Sequence, residues 1–187
     1  MSNIERLQTS ITESEIPAIL ITSLPSVRWL TGFTGSFGAA LVTQDKVLFL
    51  TDSRYTLQAQ EQCPDIETKS FRNPKKFSEF LKEEVGSFGL TQLAFDKNHA
   101  TVATHEEWSE VLEGVELIAE CDPIENLRKQ KTDAEISLMR KACELADQAI
   151  ELLLGKCKPG VKEIELFWIF EDFLRTVGAT SAFAPIM

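Results

Sequence analysis

Six short apolar runs, separated by polar or amphipathic stretches, set the architecture open to this chain. They are IPAILIT at 16–22, SFGAALVT at 36–43, KVLFLT at 46–51, IETKSF at 66–71, QLAFD at 92–96 and VELIAEC at 115–121. Each has the length of a strand and is too short for a core helix. The first is bounded by Pro17 and by SLPS. The second and third flank the short polar link QD and predict a β-hairpin. The fourth alternates polar and apolar residues, as an edge strand does.

The stretches between them carry helical signals. SRYTLQAQEQ at 53–62 reads as a helix with Asp52 or Ser53 placed to cap it. PKKFSEFLKEEVG at 74–86 has proline near its start, glycine at its end, and Phe77, Phe80 and Leu81 on one face. THEEWSEVLEG at 104–114 opens with a capping box from Thr104 to Glu107 and ends on glycine. Residues 1–122 are therefore expected to form a mixed α/β domain of about six strands and four helices.

A polar, proline-containing stretch with a basic cluster, at 123–132, is expected as a linker. Two helices are expected after it. The first, at 133–154, aligns Ile136, Met139, Cys143, Ala146, Ile150 and Leu153 in one stripe before Gly155. The second, at 161–177, ends before Gly178 and is apolar around much of its circumference through Ile164, Phe167, Trp168, Phe170, Leu174 and Val177. Such a helix expects partners on several sides, more than these residues can supply. SAFAPIM at 181–187 reads as the first residues of a buried strand. A lone strand cannot pair its backbone, so a continuation beyond Met187 is expected.

Composition limits the function classes. Hydrophobic residues make up 43% of 187, enough for a sizeable core. Net charge is −10, from 29 acidic and 19 basic residues, which disfavours nucleic acid and leaves basic partners open. The N-terminal MSNIERLQTSITESE lacks the apolar region of a signal peptide and the Arg-rich pattern of a transit peptide. No run approaches a membrane span. Cys63, Cys121, Cys143 and Cys157 form no CxxC pair and read as reduced thiols, so the chain is expected to be cytoplasmic.

Candidate chemistry is sparse. His99 and His105 are six residues apart and share no helix face. Without an HExxH spacing they read as surface residues near a cap rather than ligands. GFTGSFGAA resembles a nucleophile elbow superficially, but a strand rather than a helix follows Ser36. The same stretch lacks the Lys-Ser/Thr pair of a phosphate loop, so its glycines are read as allowing a turn or a close approach. Glu106, Glu107, Glu110 and Glu113 follow helical spacing and read as a solvated face.

Three stretches in series resemble one family. SVRWLTGFTGSFGAALVT followed by LTDSRYTLQAQEQ is similar to the N-terminal domain of the Xaa-Pro peptidases: aminopeptidase P, prolidase and their relative creatinase. IENLRKQKTDAEISLMRKACELADQAI resembles the linker and first helix of their catalytic domain, and KPGVKEIELFWIFEDFLRTVGATSAFAPIM the next helix and first strand.

The resemblance, closest to the Xaa-Pro aminopeptidase branch, implies a creatinase/prolidase-type N-terminal domain and an incomplete start, at 133–187, of a pita-bread domain. It implies a parent enzyme that removes the residue before a proline with two divalent metal ions, whether manganese, cobalt or zinc. The implied ligands, aspartates, histidine and glutamates, would all lie beyond Met187, so no metal or catalytic residue is assigned here. It further implies a homodimer through the N-terminal domain, with Phe33, Thr34, Gly35 and Ser36 as cleft or dimer contacts and proline-containing peptides as substrates. Asp52, Arg54 and Tyr55 are expected to pin the hairpin to its helix by ion pair and ring packing, and Trp29 to sit in the core. Two other readings stay open: a non-catalytic module for a basic protein such as a histone, and a creatinase-like amidinohydrolase parent.

Overall fold

The computed structural model describes residues 1–120 and 123–187. The chain forms two compact units, Met1–Gln130 and Lys131–Met187.

The first unit is built on a six-stranded sheet: β1 Ala18–Ile21, β2 Ala39–Thr43, β3 Val47–Asp52, β4 Glu67–Phe71, β5 Gln92–Asp96 and β6 Glu116–Glu120. The spatial order is β4-β3-β2-β1-β5-β6. β2 pairs antiparallel with both neighbours, and the other pairs are parallel. Five strands therefore end at one edge of the sheet, where β2 begins. The expected hairpin forms, with Ala40 opposite Phe49 and Val42 opposite Val47. The expected edge strand is β4.

Both faces of the sheet are covered, which is why the central runs are apolar without a gap. Ile19, Ile21, Ala40, Val42, Phe49 and Ala94 face one core, and Leu20, Leu41, Leu48, Leu50, Leu93 and Phe95 the other. The first core is closed by α1 Asn3–Glu13, α2 Leu24–Thr31 and α3 Thr56–Gln62 through Leu7, Ile11, Val27, Leu30 and Ala59. The second is closed by α4 Phe77–Ser87 and α5 Val102–Val111 through Phe80, Leu81, Val85 and Trp108.

Several helices depart from expectation. α1 and α2 lie in stretches that show no long apolar stripe. α1 starts on a capping box between Ser2 and Glu5. α2 is a short helix with proline in its first turn, ended by Gly32 at φ 81°, a left-handed position that glycine takes without steric cost. α3 starts at Thr56, and Asp52 does not cap it. α4 starts after Pro74, at Phe77, and runs through Gly86, because burial of Val85 offsets the low helix propensity of one glycine. α5 starts earlier than expected: the Thr101 hydroxyl, not that of Thr104, caps it by accepting from the Thr104 amide at 3.1 Å.

Pro123–Lys129, within the expected linker, is a helix, α6. Ile124 is buried in the first core, and Arg6 donates to the Leu127 carbonyl at 2.6 Å. Cys121 lies outside the described residues.

The second unit holds α7 Asp133–Lys156 and α8 Glu163–Thr176, which pack together. α7 opens on a capping box of Thr132 and Glu135. The strand expected at 181–187 is not formed. This unit contains no strand for it to pair with, and an isolated strand leaves its backbone groups unmatched. The Ser181 hydroxyl instead donates to Glu171.

Candidate functional site

The connection between α2 and β2, residues 32–38, lies at the sheet edge where the parallel strands end. It carries all four of the expected contact residues. Phe33 turns inward: it is 1% exposed, with its ring 4.7 Å from that of Phe49. Phe33 therefore anchors the loop, and Thr34, Gly35 and Ser36 form its accessible part.

The anchor begins at Thr31, whose hydroxyl donates to the Val27 carbonyl and accepts from the Phe33 amide. The buried Cys63 thiol donates to the Thr31 carbonyl at 3.4 Å, and burial pushes that thiol above its ordinary pKa. At the other end Thr51 donates to the Phe37 carbonyl at 2.8 Å. Gly35 and Gly38 leave no room for a side chain. A Cβ on Gly35 would run into the Phe33 ring, and one on Gly38 would lie 2.6 Å from Phe49 Cζ.

α3 holds the loop tip. The Thr34 amide donates to Gln62 Oε1 at 2.9 Å, and Gln62 Nε2 and Gln58 Nε2 donate to the Thr34 hydroxyl at 2.9 and 3.2 Å. Gln58 and Gln62 are four residues apart and so share a helix face. Sequence reasoning missed this clamp; the i, i+4 glutamines in LQAQEQ were the available signal.

Asp52, Arg54 and Tyr55 occupy the turn after β3. The ion pair is local: Arg54 Nη2 and Nε contact the two Asp52 oxygens at 2.7 and 3.0 Å, and Asp52 also accepts from the Arg54 amide. The Asp52 side chain thus organises the turn, as an aspartate does in an Asx turn, rather than capping α3. The Arg54 guanidinium hydrogen-bonded to it holds the Asp52 carboxyl below its ordinary pKa. Tyr55 makes the long-range link. Its ring stands edge-on to Phe33 at 5.7 Å, and its hydroxyl lies 2.5 Å from Ser36 Oγ. The Ser36 hydrogen bond holds the phenol below the ordinary tyrosine value.

Chemically the loop offers hydroxyls, an amide clamp and an ion pair. Ser36 bonds a phenol, not an imidazole or carboxylate, so it lacks the partner that activates a nucleophile. Among the described residues no three His, Cys, Asp or Glu side chains are grouped to hold a metal ion. The described residues do not fit a two-metal centre. His99 and His105 are both exposed, and the His105 ring lies 5.4 Å from Phe95. Trp29 is half-buried against the first core, with the Arg6 guanidinium over its ring at 5.2 Å. No described helix is long and apolar enough to cross a membrane.

Residues 3–130 match the Creatinase/Prolidase N-terminal domain. The chain is 35% identical to the peptidase YqhT of Bacillus subtilis over 179 residues, 96% of this chain and 50% of that protein. Among solved structures it is similar to the Xaa-Pro dipeptidase from Bacillus anthracis, with 34% identity and TM-score 0.86 over 96% of this chain and 50% of that one. The N-terminal domain of the cytoplasmic peptidase PepQ from Mycobacterium tuberculosis matches 67% of this chain and 98% of its own, with 34% identity and TM-score 0.62. The chain thus spans about half the length of the full-length relatives it matches. A six-stranded sheet covered on both faces, the loop pinned at its edge, and these matches together place the chain in the creatinase/prolidase N-terminal domain family.

Proposed function

We propose that this chain is the N-terminal half of an Xaa-Pro peptidase, one that cleaves the bond before a proline in the complete enzyme. The observation that carries the reading is the extent of the match. It runs through both units of this chain and takes up half of the Xaa-Pro dipeptidase it resembles. Divalent metal ions, which the family resemblance implies, would be held by residues outside this chain.

In this reading Thr34, Gly35 and Ser36 line or close the substrate cleft, with Phe33, Tyr55, Gln58 and Gln62 fixing their position. Hydroxyls held at defined points suit hydrogen bonding to peptide groups. A homodimer through the first unit would set this loop against a second subunit, and the enzyme would act in the cytoplasm.

The test is an Xaa-Pro peptide assay with added manganese, on the 187-residue chain and on the chain co-expressed with the C-terminal half of a relative such as YqhT. The chain alone should show no turnover and the combination should. Clear turnover by the chain alone would overturn the reading.

A second reading draws on the net charge of −10: a non-catalytic module that binds a basic protein. It expects a complex that weakens with salt and is lost on charge reversal of surface carboxylates.

A further inference from the structure

The connections after β1, β4 and β5, with the start of β2, enclose an open cavity of about 900 Å³. β1 leads by α2 to β2 and β3 on one side, and β5 leads to β6 on the other. The cavity lies over this divergence, at the carboxyl ends of the strands, where open α/β sheets bind ligands. Its size falls within the range of small-molecule sites.

One wall is aromatic. Phe37 meets Phe71 at 5.9 Å and Phe77 at 5.6 Å, both edge-on, and Phe71 and Phe77 are 6.1 Å apart. All three rings are only half-buried, and the buried Trp108 also lines the space. Apolar surface left wet at a fixed, preformed site is surface a ligand can cover with gain.

The polar groups around it are unevenly satisfied. Lys75 is paired with Glu83 at 2.7 Å. The Glu107 carboxylate accepts from the Ser78 hydroxyl at 2.6 Å. Thr101 and Thr104 hydroxyls bond each other at 2.8 Å. The Lys76 ammonium is in none of the ion pairs among the described residues, and Lys76 and His99 both line the cavity. In a chain of net charge −10 this cavity presents a free cation beside an aromatic wall.

We propose that the cavity binds a small carboxylate with an aromatic or branched apolar body. The body would lie on Phe37, Phe71 and Phe77, and the carboxylate would accept hydrogen bonds from the Lys76 ammonium and a His99 ring N–H. The carboxylate could belong to a free acid or to the apolar C-terminal residue of a peptide. The inference rests on the first unit alone and not on the proposed peptidase activity.

The test is amide chemical-shift mapping on the full chain with three probes: 3-phenylpropionate, its neutral amide 3-phenylpropanamide, and the tripeptide Ala-Pro-Phe with a free C-terminus. Saturable shifts are expected at residues 71–78 and 99–104 with the acid. The neutral amide should bind more than about tenfold more weakly, because the Lys76 and His99 contacts both lose their charged acceptor. Lys76→Gln, on the exposed surface, should weaken the acid about tenfold, leaving the His99 contact, while leaving the rest of the spectrum in place. Tighter binding of the tripeptide than of the free acid assigns the carboxylate to a peptide end; the reverse assigns it to a free acid. Absence of saturable shifts there, equal affinity for acid and amide, or an unchanged affinity in Lys76→Gln would overturn the proposal.

Discussion

The Tyr55 hydroxyl sits 2.5 Å from Ser36 Oγ while the Tyr55 ring stands edge-on to Phe33, so one side chain holds both the tip and the anchor of the α2–β2 loop. Tyr55→Phe keeps the ring contact and removes the hydrogen bond. It should leave the unfolding midpoint nearly unchanged and speed amide exchange at residues 34–36. Tyr55→Ala should do both: loosen the loop and lower the midpoint. Unchanged loop exchange in Tyr55→Phe would show that the hydrogen bond does not order the loop.

Gly38 marks a close approach rather than a turn. Its missing side chain leaves space for the Phe49 ring, which is fully buried and has nowhere to move. Gly38→Ala should therefore destabilise by about 1–3 kcal/mol, the ordinary range for overpacking. Phe49→Leu in the same background should recover part of that loss, because a smaller side chain frees the space. Urea melts of the two variants measure this, and an additive double mutant would refute the packing account.

Lys69 and Glu84 form a part-buried pair at 2.6 Å between β4 and α4. The Glu84 hydrogen bond raises the Lys69 pKa above its ordinary value. A pKa raised by folding gives stability that is fully present below the unfolded value, about 10.4 for lysine, and lost as pH rises through the folded value. The unfolding midpoint should fall more steeply above that pH in the natural chain than in Lys69→Met. At neutral pH, Lys69→Met should cost more than Glu84→Gln, because it leaves a buried carboxylate without its partner. Equal costs would argue against the pair being coupled.

Asp52 is the opposite case. Its pKa is lowered by the Arg54 hydrogen bond, so the turn's contribution is present above the ordinary aspartate value and fades as pH falls through the lower, folded one. Arg54→Gln should flatten that acid-side loss, because the variant is already less stable at neutral pH and has less to lose as pH falls. A midpoint-against-pH curve with the same acid limb in both proteins would contradict this.

Trp168 on α8 is 64% exposed, and Ile136, Met139 and Ile150 on α7 also reach the surface. Trp108 in the first unit is buried. In dilute solution, acrylamide should quench Trp168 strongly and Trp108 weakly, read with single-tryptophan variants. Residues 161–187 should also exchange amides faster than β1 and β2. Equal protection in a strictly monomeric sample would overturn this expectation.

The strands were legible because burial on two faces leaves its mark in the residues themselves. Ile19 and Leu20 point to opposite cores, and both must be apolar whatever lies beyond them. The hairpin and the edge strand followed from equally local rules: a short link and alternation. α1 and α2 were missed because each buries only a few residues. In α1 these are Leu7 and Ile11, too few to stand out against the polar residues around them. Thr101 against Thr104 as the cap of α5 was a choice between two similar residues a turn apart, decided by where the chain leaves β5.

The sequence by itself determined that this would be an α/β chain with a short helix-rich second part, and its motifs in series pointed to the family. Only the tertiary structure decided what meets what. The strand order places Ser36 beside Tyr55, sets Thr34 under Gln58 and Gln62, and brings Phe37, Phe71 and Phe77 around one cavity. These residues are far apart along the chain, and each is unremarkable in its own segment. Local periodicity records which side of an element is buried. It carries no record of which distant element does the burying, and that is where the loop clamp and the cavity arise.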